Sequence, residues 1–128
     1  MPGYGNHILD KGYDAAAAIT KYRAVKLHAT TETVTPVAAS TDIVYGIAQN
    51  EVTTAELAKK KGVAVRAEGI TEWEVAAAVT RGQEVMAAAD GRATPATGAT
   101  NRVAGLVLEG ADAAGKRATV RLISGRII

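Results

Sequence analysis

The sequence predicts an all-β protein: a small barrel or sandwich of two related halves, with one short helix at most and an extended N-terminal arm. Three observations carry that prediction. Short β-branched runs recur at close spacing between glycine-rich and Asx-Gly turns, the pattern of compact all-β folds. The chain repeats itself once with a period of about 60 residues, too long for a small solenoid unit. The apolar residues, 48% of the chain, are mostly small, with no Phe, one Trp and four Tyr. A core of Ala and Val buries little area per residue, at about 0.8 kcal/mol for each CH₂. A lone subunit therefore needs further burial against a partner or another copy.

Residues 1–17 hold three glycines, Pro2, Tyr4 and Tyr13 and show no clean periodicity, so they read as an extended arm. Tyrosines are good low-entropy interface anchors. The arm's Tyr4, His7, Ile8 and Tyr13 are accordingly candidates for an interface with a partner or another copy. Candidate strands follow at 24–29, 33–37, 43–48, 63–68, 72–79, 84–88, 92–95, 103–108 and 117–123. Alanine runs such as 76–78 favour helix by propensity, but Val75, Ala77 and Val79 alternate with Ala76 and Ala78 up to the turn at Arg81-Gly82. Trp73 shares that strand face, which puts it in the core or at a subunit seam. Asp90-Gly91-Arg92 is a hairpin signal. The best helix candidate is 53–61, capped by Thr53 or Thr54, with Glu56 and Lys60 forming a favourable i,i+4 pair.

The repeat lays Ala18 onward over Ala78 onward. Thr20 meets Thr80, Lys21 meets Arg81 and Val25 meets Val85. After a one-residue gap Thr35-Pro36 meets Thr94-Pro95, Asp42 meets Asn101, Val44 meets Val103 and Gly46 meets Gly105. Further on, Val65-Arg66 lies over Val120-Arg121. Residues 18–128 thus read as one β domain with an internal duplication, 18–69 and 78–124, after the 1–17 arm.

Chemistry-bearing patterns fail one by one. Gly110 to Lys116 fits most of a phosphate-binding G-x-x-x-x-G-K-[ST] loop, but Arg117 stands where a hydroxyl must reach Mg²⁺. A strand-like run follows where a helix N-terminus should bind phosphate. The matching slot in the first half is Lys59-Lys60-Lys61-Gly62, so both read as charged turns. Only Ser40 and Ser124 could be serine nucleophiles, and neither sits in G-x-S-x-G. Cysteine is absent. The histidines are His7 in the arm and His28, which reads as a surface imidazole beside Lys26. Glu68, Glu72 and Glu74 could pair as acid and base but read as a solvated strand face. No cofactor and no metal is expected, and no enzyme. The net charge is +2, with no basic pole and no aromatic stacking platform, so no nucleic-acid partner is expected. No apolar run reaches the ~18 residues of a membrane span, and the N-terminus lacks the pattern of a secretory signal, so no membrane partner is expected either.

From Ala76 to Leu122 the order of motifs is specific. Val79, Gly82 and Val85 lead to Asp90-Gly91, then to Val103-Ala104-Gly105-Leu106-Val107-Leu108-Glu109, then to Val120-Arg121-Leu122. This order resembles the small capsid decoration, or cement, proteins of tailed bacteriophages, and Val44-Tyr45-Gly46-Ile47 resembles that family's earlier strand pair. The resemblance covers residues 18–123 and implies a structural virion protein without catalysis. It further implies a homotrimer on the outer capsid surface that binds the major capsid protein of the same virion and stabilises the shell. The alternative is a small ligand-binding or carrier β-barrel module. Such a carrier needs a lysine at a hairpin tip between small apolar residues, which the Asp90-Gly91-Arg92 hairpin does not offer.

Overall fold

The structure, a computed structural model, describes residues 9–98 and 101–127. Two sheets form in succession. The first is a closed barrel of β1 (Leu9–Ala15), β2 (Ala24–Leu27), β3 (Thr33–Pro36), β4 (Gly46–Ala48) and β5 (Gly62–Glu68), in the order β1-β3-β2-β4-β5. The second holds β6 (Ile70–Glu74), β7 (Glu84–Ala87), β8 (Ala93–Pro95), β9 (Arg102–Glu109) and β10 (Arg117–Ile127), in the order β6-β10-β9-β7-β8. Read round the closed ring in the opposite direction, the first order is the same in sequence rank as the second, and a single bridge, Val75 to Ala93, brings the edges of the second sheet together as a second, incompletely closed barrel. The fold is all-β, and one short helix, α1 (Thr54–Ala58), lies between β4 and β5.

Alternation drives the strands. In β5, Val63 and Val65 point inward while Ala64 and Arg66 are half-exposed. The first core gathers Ile19, Val25, Val34, Ala48, Val52, Val63 and Val65, with Tyr13 and Tyr45 packed against it. The second is built round Trp73, Val75, Val85, Val107 and Val120, and it also takes in Ala24, Val37 and Ile47 from the first barrel. One core therefore belongs to a single barrel, and the other is completed by its neighbour.

Three expectations change. The 1–17 arm is not an arm throughout: Leu9–Ala15 is β1, antiparallel to β5 and parallel to β3, and it closes the first barrel. The run at 72–79 ends as a strand at Glu74. Val75 makes one parallel bridge to Ala93, Ala77 is exposed, and Val79 returns through a bridge to Ala111. In the helix, Thr53 forms a capping box with Glu56, but Glu56 pairs with Lys61 at 2.8 Å rather than with Lys60. Lys60 leaves the helix with φ +58, which swings the chain so that the next lysine reaches the carboxylate.

Candidate functional site

The two barrels meet at a seam built from the start of β2. Residues Tyr22, Arg23 and Ala24 sit between the end of β6 and the β7–β8 hairpin. The Tyr22 carbonyl accepts from the Glu74 N–H at 2.9 Å, and the Ala24 N–H donates to the Gly91 carbonyl at 2.8 Å. The Trp73 indole N–H donates to that same carbonyl at 2.8 Å, so the buried ring is fixed at the seam. Glu74 takes Arg23 in a fork, Nε to Oε1 at 3.2 Å and Nη2 to Oε2 at 3.3 Å, the bidentate geometry that adds direction to charge. The Arg117 guanidinium stacks 4.4 Å from the Tyr22 ring centroid. Gly91 has φ +83, and a Cβ there would press on the Ala24 carbonyl at 3.1 Å, so glycine lets the hairpin approach. Burial alone would raise the Asp90 carboxyl, but the Arg92 N–H and guanidinium, with Arg23 near, hold it below the ordinary Asp value.

The first barrel has the matching place, and there no segment of the described residues fills it. Tyr13 pairs with Val63 as Trp73 pairs with Ala118. Half-buried, the Tyr13 ring meets Tyr45 edge to face at 5.4 Å, and the two hydroxyls are hydrogen-bonded. That bond, then burial, pushes the Tyr45 phenol up to about 12. Beside Tyr13 a shallow concavity of about 900 Å³ opens between β1 and the β2–β3 hairpin, bordered by Lys11, Asp14, His28, Thr31 and Glu32.

Other candidates resolve into structure. Residues 110–116 connect the antiparallel pair β9–β10, where Lys116 Nζ holds Asp112 Oδ1 at 2.6 Å and thereby lowers that carboxyl. The Gly110 backbone lies against the Val79 carbonyl, where a Cβ would collide. Of the three glutamates, Glu72 faces Arg117 at 3.9 Å and Glu74 is held by Arg23, so these two are ion-paired residues of one strand. The His28 ring accepts from the Thr30 N–H at 3.3 Å. Among the described residues no group of three or more His, Asp or Glu could hold a metal ion. No helix of the described residues is long and apolar enough to cross a membrane.

Of the predicted interface residues, Tyr4, His7 and Ile8 lie outside the described residues. Tyr13 lines the open concavity. Trp73 is 0% exposed and belongs to the core, so within this chain it offers no surface to a partner. Sequence reasoning gave no site role to Tyr22–Ala24, Tyr45 or the 28–33 hairpin. The repeat held the signal: running its register back six residues from Ile19/Val79 sets Tyr13 over Trp73, aromatic over aromatic.

The family model for phage cement proteins matches residues 50–122, more than half of the chain. The chain belongs to the phage cement protein family. It is accordingly a structural protein of the phage capsid, associated with the virion, and that family points away from catalysis. The matched segment runs from before α1 into β10 and contains Trp73, the Asp90–Arg92 hairpin and the 110–116 connection. Among solved structures, the N base of the head fiber protein gp8.5 of bacteriophage phi29 shares the fold at a TM-score of 0.69 and 16% identity. That alignment covers 95% of this cement-family chain and 99% of the phi29 chain. No curated protein matches the sequence.

Proposed function

We propose that this chain binds the outer surface of an assembled phage head, contacts the major capsid protein of the same virion, and stabilises the shell as a homotrimer, without catalysis. The observation that carries the reading is the cement-family match over 50–122, and the phi29 head fiber fold agrees with it. The physics is mass action. A protein that binds the assembled lattice and not its dissociated subunits stabilises that lattice by RT ln(1 + [L]/Kd). The small-residue cores favour this use, since a subunit with little surplus burial gains most from a partner. Tyr4, His7 and Ile8 are proposed as capsid anchors. The test adds purified protein to heads that lack it and measures co-sedimentation and the temperature of head rupture. Saturable binding with a higher rupture temperature is expected. Absence of binding to mature heads would overturn the reading.

A further inference from the structure

We propose that the open concavity of the first barrel, between β1 and the 28–33 hairpin, receives the Gly82–Glu84 segment of a second copy of this chain. The inference concerns contacts between copies and does not depend on what the assembled copies bind.

The molecule already makes this contact once, inside itself. The seam of the second barrel is filled by Tyr22-Arg23-Ala24, and the repeat puts Gly82-Gln83-Glu84 at the matching positions. The two segments share their backbone. Tyr22 has φ +60 and Gly82 has φ +87. Tyr22 N–H donates to the Ala48 carbonyl at 2.8 Å, and Gly82 N–H donates to the Val107 carbonyl at 2.8 Å. The Ala24 carbonyl accepts from Val37 N–H at 3.2 Å, as the Glu84 carbonyl accepts from Ala96 N–H at 3.0 Å. Only one of the two is covered: Ala24 is 1% exposed, whereas Gly82 and Glu84 are exposed, with nothing within 4 Å of a Cβ built at Gly82.

The receiving sides match as well. The hairpin that closes on β3 is fixed by His28 N–H to Thr33 O at 2.9 Å, and the one that closes on β8 by Ala88 N–H to Arg92 O at 2.7 Å. One difference is informative. The filled seam has a single parallel bridge, Val75 with Ala93, while the open seam has drawn together by one more pair, Asp14 with Thr33 beside Ala15 with Val34. Docking would release that extra pair and give the Asp14 N–H the Gly82 carbonyl of the second copy, as Glu74 N–H takes that of Tyr22. Charge agrees in sign: Asp14 and Glu32 border the concavity, and Arg81 immediately precedes the segment. A contact between two different faces leads to a ring or an open filament. A ring fills every seam and makes the barrels of successive copies equivalent to those within one chain.

The test uses the full chain and measures its mass and association constant by sedimentation. Gln83 stands where Arg23 stands in the filled seam, and its Oε1 accepts from Thr80 N–H at 3.0 Å, a bond that Gln83→Glu retains. Gln83→Glu should weaken association about tenfold by setting like charges opposite each other. Adding Asp14→Arg should restore it, because the pair is then the reverse of Arg23 with Glu74. Thermal melts at low concentration check that each variant folds. A wild-type chain that stays monomeric at its solubility limit would overturn the proposal, as would association unmoved by Gln83→Glu and Asp14→Arg singly. A chain that forms the ring yet ignores phage heads would leave this proposal standing and sink the capsid reading instead.

Discussion

The two barrels have the same strand order but are finished in different ways. The first closes on itself, because β1 pairs with both β5 and β3 and every member of its core comes from residues 13–65. The second is finished from outside. Its β6 reaches β8 through one bridge, and its core includes Ala24, Val37 and Ile47 from the first barrel. At the matched interior position the first barrel carries Tyr13, with a polar tip bonded to Tyr45, and the second carries Trp73, with its N–H bonded at the seam. One half is therefore a scaffold and the other depends on it. Stability should flow in that direction, and the largest effects should come from breaking the first barrel.

Removal of residues 1–17 should therefore abolish cooperative folding, because it strips β1 from two neighbours and opens the scaffold. Removal of 1–8, which leaves β1 from Leu9 onward in place, is the control. Circular dichroism melts of the two truncations make the comparison, and a stable 1–17 truncation would show that the scaffold does not need its first strand. Next in size is Trp73→Ala, expected to cost about 3–5 kcal/mol, the usual range for emptying a buried aromatic site. Tyr13→Ala should cost clearly less, because Tyr13 is half-buried where Trp73 is 0% exposed. Denaturant melts that ranked the two the other way would reverse the roles assigned to the barrels.

The matched glycines sharpen the comparison at smaller scale. A Cβ on Gly46 would collide with the Arg66 carbonyl oxygen and lie 2.7 Å from Val65 Cγ1, so backbone must move. A Cβ on Gly105 would collide with Val120 Cγ1, a side-chain methyl, with the Arg121 carbonyl at 3.3 Å. Overpacking costs roughly 1–3 kcal/mol. Gly46→Ala should fall at the upper end and Gly105→Ala below it, measured as shifts in denaturant midpoint.

Most of the strands were legible because alternation and turn chemistry agree with the tertiary fold at β2 through β5 and β7 through β10. β1 was not. Leu9-Asp10-Lys11-Gly12-Tyr13-Asp14-Ala15 is charged, contains glycine and alternates weakly, and what makes it a strand is pairing with β5, 48 to 59 positions on. Local patterns do not carry such a partner; tertiary context does. The overlong strand expected at 72–79 has the converse cause: Val75 and Val79 are both buried, but through separate single bridges, so the periodicity was real while the ladder between them was not. The seam was hidden for a third reason. Tyr22 at φ +60 looks like an ordinary loop residue in sequence, and only the matching Gly82 betrays that the position is left-handed.

The smallest effect separates the barrels by pH. The matched residues Asp42 in the first barrel and Asn101 in the second each tie back to a residue four positions earlier. Asp42 Oδ2 accepts from Ala38 N–H at 2.9 Å, Ala39 N–H at 3.0 Å and Lys26 Nζ at 3.0 Å. Burial by itself would raise this carboxyl, but those three donors outweigh it and hold it below the ordinary Asp value. Asn101 does its work with an amide, donating to the Thr97 carbonyl at 2.8 Å and accepting from Ser40 Oγ at 2.7 Å, and cannot titrate. A depressed folded pKa means that the stabilisation is fully present above the unfolded value of about 4 and is lost as pH falls through the lower folded value. Asp42→Asn should thus cost about 1 kcal/mol at neutral pH, the scale of one net hydrogen bond. The gap between variant and wild type should shrink toward zero in acid. Asp90 is shifted the same way at the seam and contributes its own acid slope to both proteins, so it cancels in the difference. Melting temperatures of the two proteins from neutral pH down into the carboxylate range measure that difference directly, and a gap that stayed constant with pH would show that the loop is held by shape and not by the charge of Asp42.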